Sequence, residues 1–185
     1  MFKSDKLRNV ALVGHSGCGK TTLVEAMLFN TGAVNRLGRV DDGTSVSDWD
    51  DEERRRKMSI NLSIIPCEWQ DHKLNALDAP GYMDFVGEVV SAIRVADGVV
   101  VVIDSVSGVE VGTEQVWHYA NERKLPKLVF VNKMERENAD PTGVAQQVAA
   151  KFGVAAVPIQ APIGSHADFK GIVDLLTQKA YLGAT

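Results

Sequence analysis

The segment GHSGCGKT, Gly14 to Thr21, fits the spacing G-x-x-x-x-G-K-[ST] of a loop that cradles phosphate. Backbone N–H groups can converge on an anion only in a tight loop free of Cβ clashes, and Gly14, Gly17 and Gly19 supply that freedom. His15, Ser16 and Cys18 fill the positions between them. Lys20 follows with the reach to touch β- and γ-phosphate oxygens, and the Thr21 hydroxyl is placed to ligate Mg²⁺. Thr22 continues into an expected helix whose positive end adds to the field. A glycine-rich strand-to-helix turn that holds no ligand is the competing reading.

Two further constellations fit the same chemistry. DAPGY places Asp78 where an acidic side chain can hold Mg²⁺ through water, and Ala79 and Pro80 lead to Gly81, whose N–H can meet a γ-phosphate, and to Tyr82. Alone, Asp before Pro-Gly is also an ordinary turn. NKME comprises Asn132, Lys133, Met134 and Glu135 and follows the apolar run KLVFV, at the carboxyl end of an expected strand where α/β sheets bind ligands. A carboxylate there can accept from guanine N1 and N2, a donor pair that adenine lacks. An Asn-capped loop is the bland alternative.

These residues need a scaffold, and the chain reads as an α/β domain with a mostly parallel sheet of six strands and helices on both faces. Strands are expected at residues 9–13, 59–69, 74–77, 99–103, 127–131 and 156–160, and helices at 20–30, 81–96 and 112–123. The second and third strands form a hairpin around the polar turn QDHK. In the first helix Leu23, Met27 and Leu28 mark the apolar period. Asp140 before Pro141 starts a further helix that Gly153 ends. Residues 31–57 lack apolar period, yet four acid-before-base pairs at i,i+4, from Asp50 with Arg54 to Glu53 with Lys57, bias a short helix there.

Of 185 residues, 45% are apolar and 24% charged, with a net charge of −4, as in a globular protein with a sizeable core. That balance argues against covering DNA by bulk charge, so any contact with RNA must be local. No apolar run approaches the roughly 20 residues of a membrane span, and MFKSDKLRN lacks the apolar centre of a secretory signal. A cytoplasmic location and a monomer are expected. Cys18 and Cys67 are too few for a disulfide framework. The position of Cys18, near a helix N-terminus and Lys20, favours a reactive thiolate. Trp49, Trp69 and Trp117 are expected to pack, and His15, His72, His118 and His166 show no metal-ligand spacing.

The chain resembles the GTP-binding domain of translation elongation factor G over nearly its whole length. Besides the three motifs, the likeness rests on FNTGAVNRLGRVDDGTSVSDWD, DGVVVVIDSVSGVEVGTEQVW and NKMERENAD. The resemblance implies a Ras-like fold that binds GTP or GDP with Mg²⁺, hydrolyses GTP on the ribosome and drives movement of tRNA and mRNA. Lys20, Gly81 and Tyr82 would then act in hydrolysis, Thr21, Ser59 and Asp78 at the metal, and Asn132, Lys133 and Glu135 at the base. Residues 1–160 would form the GTP-binding domain, and 161–185 the start of an inserted subdomain in an N-terminal piece of a divergent paralogue.

Four departures stand out. Gly17 replaces the family's usual Asp, and RGITI aligns on Arg56 to Ile60, which makes Ser59 the counterpart of the metal-ligating threonine. DTPGH has become DAPGY, with Tyr82 at the water-orienting histidine, and NKMD has become NKME. Tyr82 keeps open a second reading, a nucleotide-dependent ribosome-binding module with little hydrolysis. A ribosome-protection or release-factor GTPase shares the motifs and is the third.

Overall fold

The computed structural model describes residues 2–183. Its elements in chain order are β1 (Leu7–Val13), α1 (Lys20–Asn30), α2 (Asp51–Arg56), β2 (Ser63–Trp69), β3 (His72–Asp78), α3 (Val86–Val95), β4 (Gly98–Asp104), α4 (Val111–Glu122), β5 (Lys127–Asn132), α5 (Pro141–Phe152), β6 (Gln160–Ile163), β7 (Gly171–Asp174) and β8 (Lys179–Leu182). A five-stranded sheet has the order β2-β3-β1-β4-β5, and β6-β7-β8 form a second sheet. β1 runs parallel to both β3 and β4, while β2 pairs antiparallel with β3. This is an α/β fold around a mostly parallel sheet, as the sequence implied.

Two compact units make up the chain, one from the residues up to Val102 with Glu110–Phe130, the other from Ile103–Val109 with Val131 onward. In the first, Leu12, Val24, Leu28, Ile65, Cys67 and Ala76 form a core between α1 and the sheet. The buried stripe of α1 is Thr21, Val24, Glu25 and Leu28, with Leu23 and Met27 only partly covered. The expected apolar period is thus displaced, and a carboxylate lies on the buried face. In the second unit Asp140 caps α5 by accepting from Gly143 N, Pro141 opens the helix, and left-handed Gly153 closes it.

Three expectations need correction. The main sheet has five strands, not six: residues 154–159 make no strand, and Val157 is 76% exposed. The strand expected from Ser59 begins at Ser63, because the amides of Ile60 and Asn61 donate to Glu53 and that of Leu62 to Glu88. In α2 the helix forms, and of the four expected pairs Glu52 with Arg56 is made while the others are replaced. Glu52 pairs with Arg56 and also with Arg55 at 2.7 Å, while Asp50 and Glu53 form a capping box instead of bridging Arg54 and Lys57. Trp117 is buried as expected, whereas Trp49 and Trp69 are 59% and 52% exposed. Of the expected inserted segment at 161–185, residues 184 and 185 lie outside the described residues.

Candidate functional site

The phosphate loop connects β1 to α1, and three of its glycines have positive φ: Gly14 at 149°, Gly17 at 75° and Gly19 at 98°. A Cβ on Gly14 would collide with the Val102 carbonyl, so the loop can turn here only with glycine. Lys20 is 6% exposed and its Nζ donates to the carbonyls of His15, at 2.9 Å, and Gly14, at 3.1 Å. Gly81 comes so close that a Cβ there would lie 2.5 Å from Lys20 Nζ and 2.7 Å from Ser16 Cα. The motif after β3 therefore meets the phosphate loop directly, at the lysine. Ala79 and Pro80 are buried, while Thr22 is exposed and Tyr82 is 44% exposed at the start of a 3-10 turn. Cys18 is 1% exposed, and the Lys20 ammonium donates to its Sγ at 3.8 Å.

The residues expected at the metal come together. Thr21 Oγ1 lies 3.0 Å from Ser59 Oγ, and Ser59 donates to Asp48 Oδ1 at 2.7 Å. Ser47 donates to Asp78 Oδ2 at 2.6 Å. Burial pushes the Asp78 carboxyl up to about 6, against the Ser47 and Thr21 hydroxyls and the Lys20 ammonium, which pull it down. Burial also raises Asp48, opposed by the Ser59 hydroxyl and reinforced by the nearby charges of Glu53 and Glu25. Asp48 Oδ2 and Asp78 Oδ1 are both buried without a hydrogen-bond partner. Two unpaired carboxylate oxygens among hydroxyls are a hard, all-oxygen donor set, the kind that suits Mg²⁺. The residues present fit the ion.

In the second unit Asn132 ends β5, and its carbonyl accepts from Ser105 N at 2.9 Å. Lys133 has φ 61°, its carbonyl accepts from Ser105 Oγ at 2.8 Å, and its Nζ pairs with Asp104 at 2.7 Å. Burial alone would raise the Asp104 carboxyl; the Lys133 ammonium and the Val106 and Ser107 amides outweigh it and hold it below its ordinary value. Met134 is partly covered, and Glu135 stands exposed in the turn that follows.

A family model described as the elongation factor Tu GTP binding domain matches residues 5–181. The chain belongs to that family. Among solved structures, a protein of Thermus thermophilus known from a crystal structure superimposes with a TM-score of 0.90 at 37% sequence identity. The match covers 96% of this chain and 27% of that one, so the present chain spans about a quarter of its structural relative.

The chain is a GTP-binding domain of the elongation factor Tu type. Several residues that shape its site escaped the motif reading. Asp48 and Ser47 lie in the stretch without apolar period, and only their acidic and hydroxyl types hinted at a role. Asp104 ends β4, where a carboxylate at the carboxyl end of a strand was a usable signal. His15, expected within the phosphate loop, also reaches beyond it: its Nδ1 accepts from Gly112 N at 3.3 Å and its Nε2 faces Glu110 at 3.5 Å, joining the loop to the start of α4. Among the described residues no group of three or more His, Cys, Asp or Glu side chains is placed to hold a metal, so any ion here would rest on two carboxylates and the neighbouring hydroxyls.

Proposed function

We propose that this chain is the GTP- and GDP-binding domain of an elongation factor G-like protein that works on the ribosome, where hydrolysis is coupled to movement of tRNA and mRNA. The observation that carries the reading is the meeting of Lys20, Gly81, Thr21, Ser59 and Asp78 within one unit, with two buried carboxylate oxygens left for a cation. Backbone amides of 14–19 would hold the α- and β-phosphates and Lys20 the β- and γ-phosphates, while Gly81 N–H would register whether the γ-phosphate is present. Thr21, Ser59, Asp48 and Asp78 would hold Mg²⁺, which supplies neutralisation of charge on the phosphate oxygens. Asn132 and Glu135 would read the guanine, with the Lys133 stem beside it. Tyr82 would face the attacking water. A group that orients water contributes on the order of 10² to 10⁴ in rate, and the longer phenol ring of Tyr82 would place its oxygen differently from an imidazole. Hydrolysis by the chain alone is therefore negligible, and turnover depends on the ribosome.

Single-turnover hydrolysis of bound GTP, with and without ribosomes, tests this in a full-length elongation factor G-like protein carrying this domain. Stimulation by ribosomes supports the enzyme. Tight, GTP-dependent ribosome binding without hydrolysis supports the second reading, the binding module, which Tyr82 favours.

A further inference from the structure

Glu25 is 0% exposed on α1, and one of its oxygens, Oε1, accepts three donors: Val46 N at 2.7 Å, Ser45 Oγ at 3.0 Å and Ser47 N at 3.1 Å. Its other oxygen, Oε2, has no hydrogen-bond partner and faces Gly38, where a Cβ would strike it and would lie 2.8 Å from the Thr44 carbonyl. Helix α1 thus grips a loop that has no secondary structure of its own at these residues. What the loop presents beyond the grip is chemical: Ser47 Oγ donates to Asp78, and Asp48 accepts from Ser59. A second buried carboxylate, Glu53, holds the other side of the same segment through the amides of Ile60 and Asn61 at 2.9 Å each.

A buried carboxylate costs desolvation, and Glu25 recovers it only by collecting donors from one short stretch of backbone. An apolar residue at this point of the buried stripe, beside Val24 and Leu28, would serve packing equally well. The acid is explained by what it aims, since shifting the amides of Val46 and Ser47 by an ångström would take Ser47 off Asp78 and Asp48 off Ser59.

We propose that Glu25 is a positioning residue for the metal: by pinning residues 45–47 to α1 it places Ser47 and Asp48 so that Asp78 and Ser59 can hold Mg²⁺. The proposal rests on the nucleotide-binding reading above and deepens it.

Two readouts on this chain separate the two. Amide exchange at Val46 and Ser47, measured without nucleotide, reports the grip alone; Glu25→Ala is expected to speed it at least about tenfold, whereas Glu25→Gln, whose amide oxygen still accepts the three donors, keeps it within about threefold. The second readout is GDP affinity with Mg²⁺ and with chelator. In Glu25→Ala, and independently in Gly38→Ala, which pushes on the carboxylate from the opposite side, the factor by which Mg²⁺ tightens GDP should fall about tenfold while affinity in chelator stays within about twofold. Glu25→Gln should restore the factor. An undiminished Mg²⁺ factor in Glu25→Ala overturns the proposal, and so does an equal loss in chelator, which would make Glu25 a plain fold residue. Wild-type chain that binds no GDP in either condition, with exchange at Val46 and Ser47 still governed by Glu25, would refute the nucleotide reading and leave the grip standing.

Discussion

Asp78 and Lys20 are 0% and 6% exposed and tied to hydroxyls and carbonyls of neighbouring segments, whereas Glu135 stands in an exposed turn. The phosphate end of the domain is therefore made of buried charges that constrain one another. The loop after β5 is held by the charge pair of Lys133 with Asp104, and Glu135, the carboxylate proposed to read guanine, stands exposed beyond it. Low dielectric strengthens every interaction at the first end and makes each lost partner expensive. At the second, a changed side chain loses little beyond its own contact. The substitution of Glu for Asp in the base motif falls on the tolerant end.

The largest effect expected of this contrast is at Lys20. Truncation by Lys20→Ala removes charge-assisted bonds to phosphate worth about 1.5 to 3 kcal/mol each, so GDP affinity should fall at least about hundredfold by calorimetry. Glu135→Ala should cost less than about tenfold. Equal losses at the two positions would erase the distinction. Next comes Tyr82, an exposed residue beside the buried end: Tyr82→His in the full-length protein should raise ribosome-stimulated turnover at least about tenfold, well inside the contribution of a positioned acid–base group. Equal rates would show that water is oriented by something else.

Much of this contrast was legible beforehand, and the unread part has a common physical cause. α1 was expected at residues 20–30 and is Lys20–Asn30, and α5 begins on Pro141 as its capping pair implied. Apolar period and capping chemistry are local, so sequence shows them. Glu25, Glu53 and Asp48 were missed as buried anchors because their partners are backbone amides and hydroxyls of segments distant in the chain or without any periodic pattern. The four charged pairs at residues 50–57 were read as equivalent, yet the buried Glu53 left its pair for three backbone amides, those of Asp50, Ile60 and Asn61. The sixth strand failed for the opposite reason: residues 156–160 have a strand's composition, but Val157 and Ile159 stand exposed, so no buried face fixes a strand there.

Acid stability offers a smaller effect. Because the Asp104 carboxyl is held below its ordinary 3.8, its contribution is present above that pH and is lost as pH falls through the lower folded value. Asp104→Asn should therefore be less stable by about 1 kcal/mol at pH 7, with the gap to wild type closing below about pH 4 in urea titrations. A gap independent of pH would mean that the ion pair with Lys133 does not hold the loop. The smallest effect belongs to Glu135→Asp. Shortening the arm by one methylene should improve GDP affinity about threefold by aligning a charged hydrogen bond that the longer side chain holds less well. No gain would show that Glu135 already reads the base in full.

The central claim is that a buried phosphate-and-metal site carries most of the affinity while an exposed loop still selects guanine. Calorimetry of the chain with GDP and with ADP, each in the presence of Mg²⁺, tests it most directly. The account predicts micromolar or weaker binding of GDP, with ADP at least about tenfold weaker still. Equal binding of the two nucleotides would contradict it.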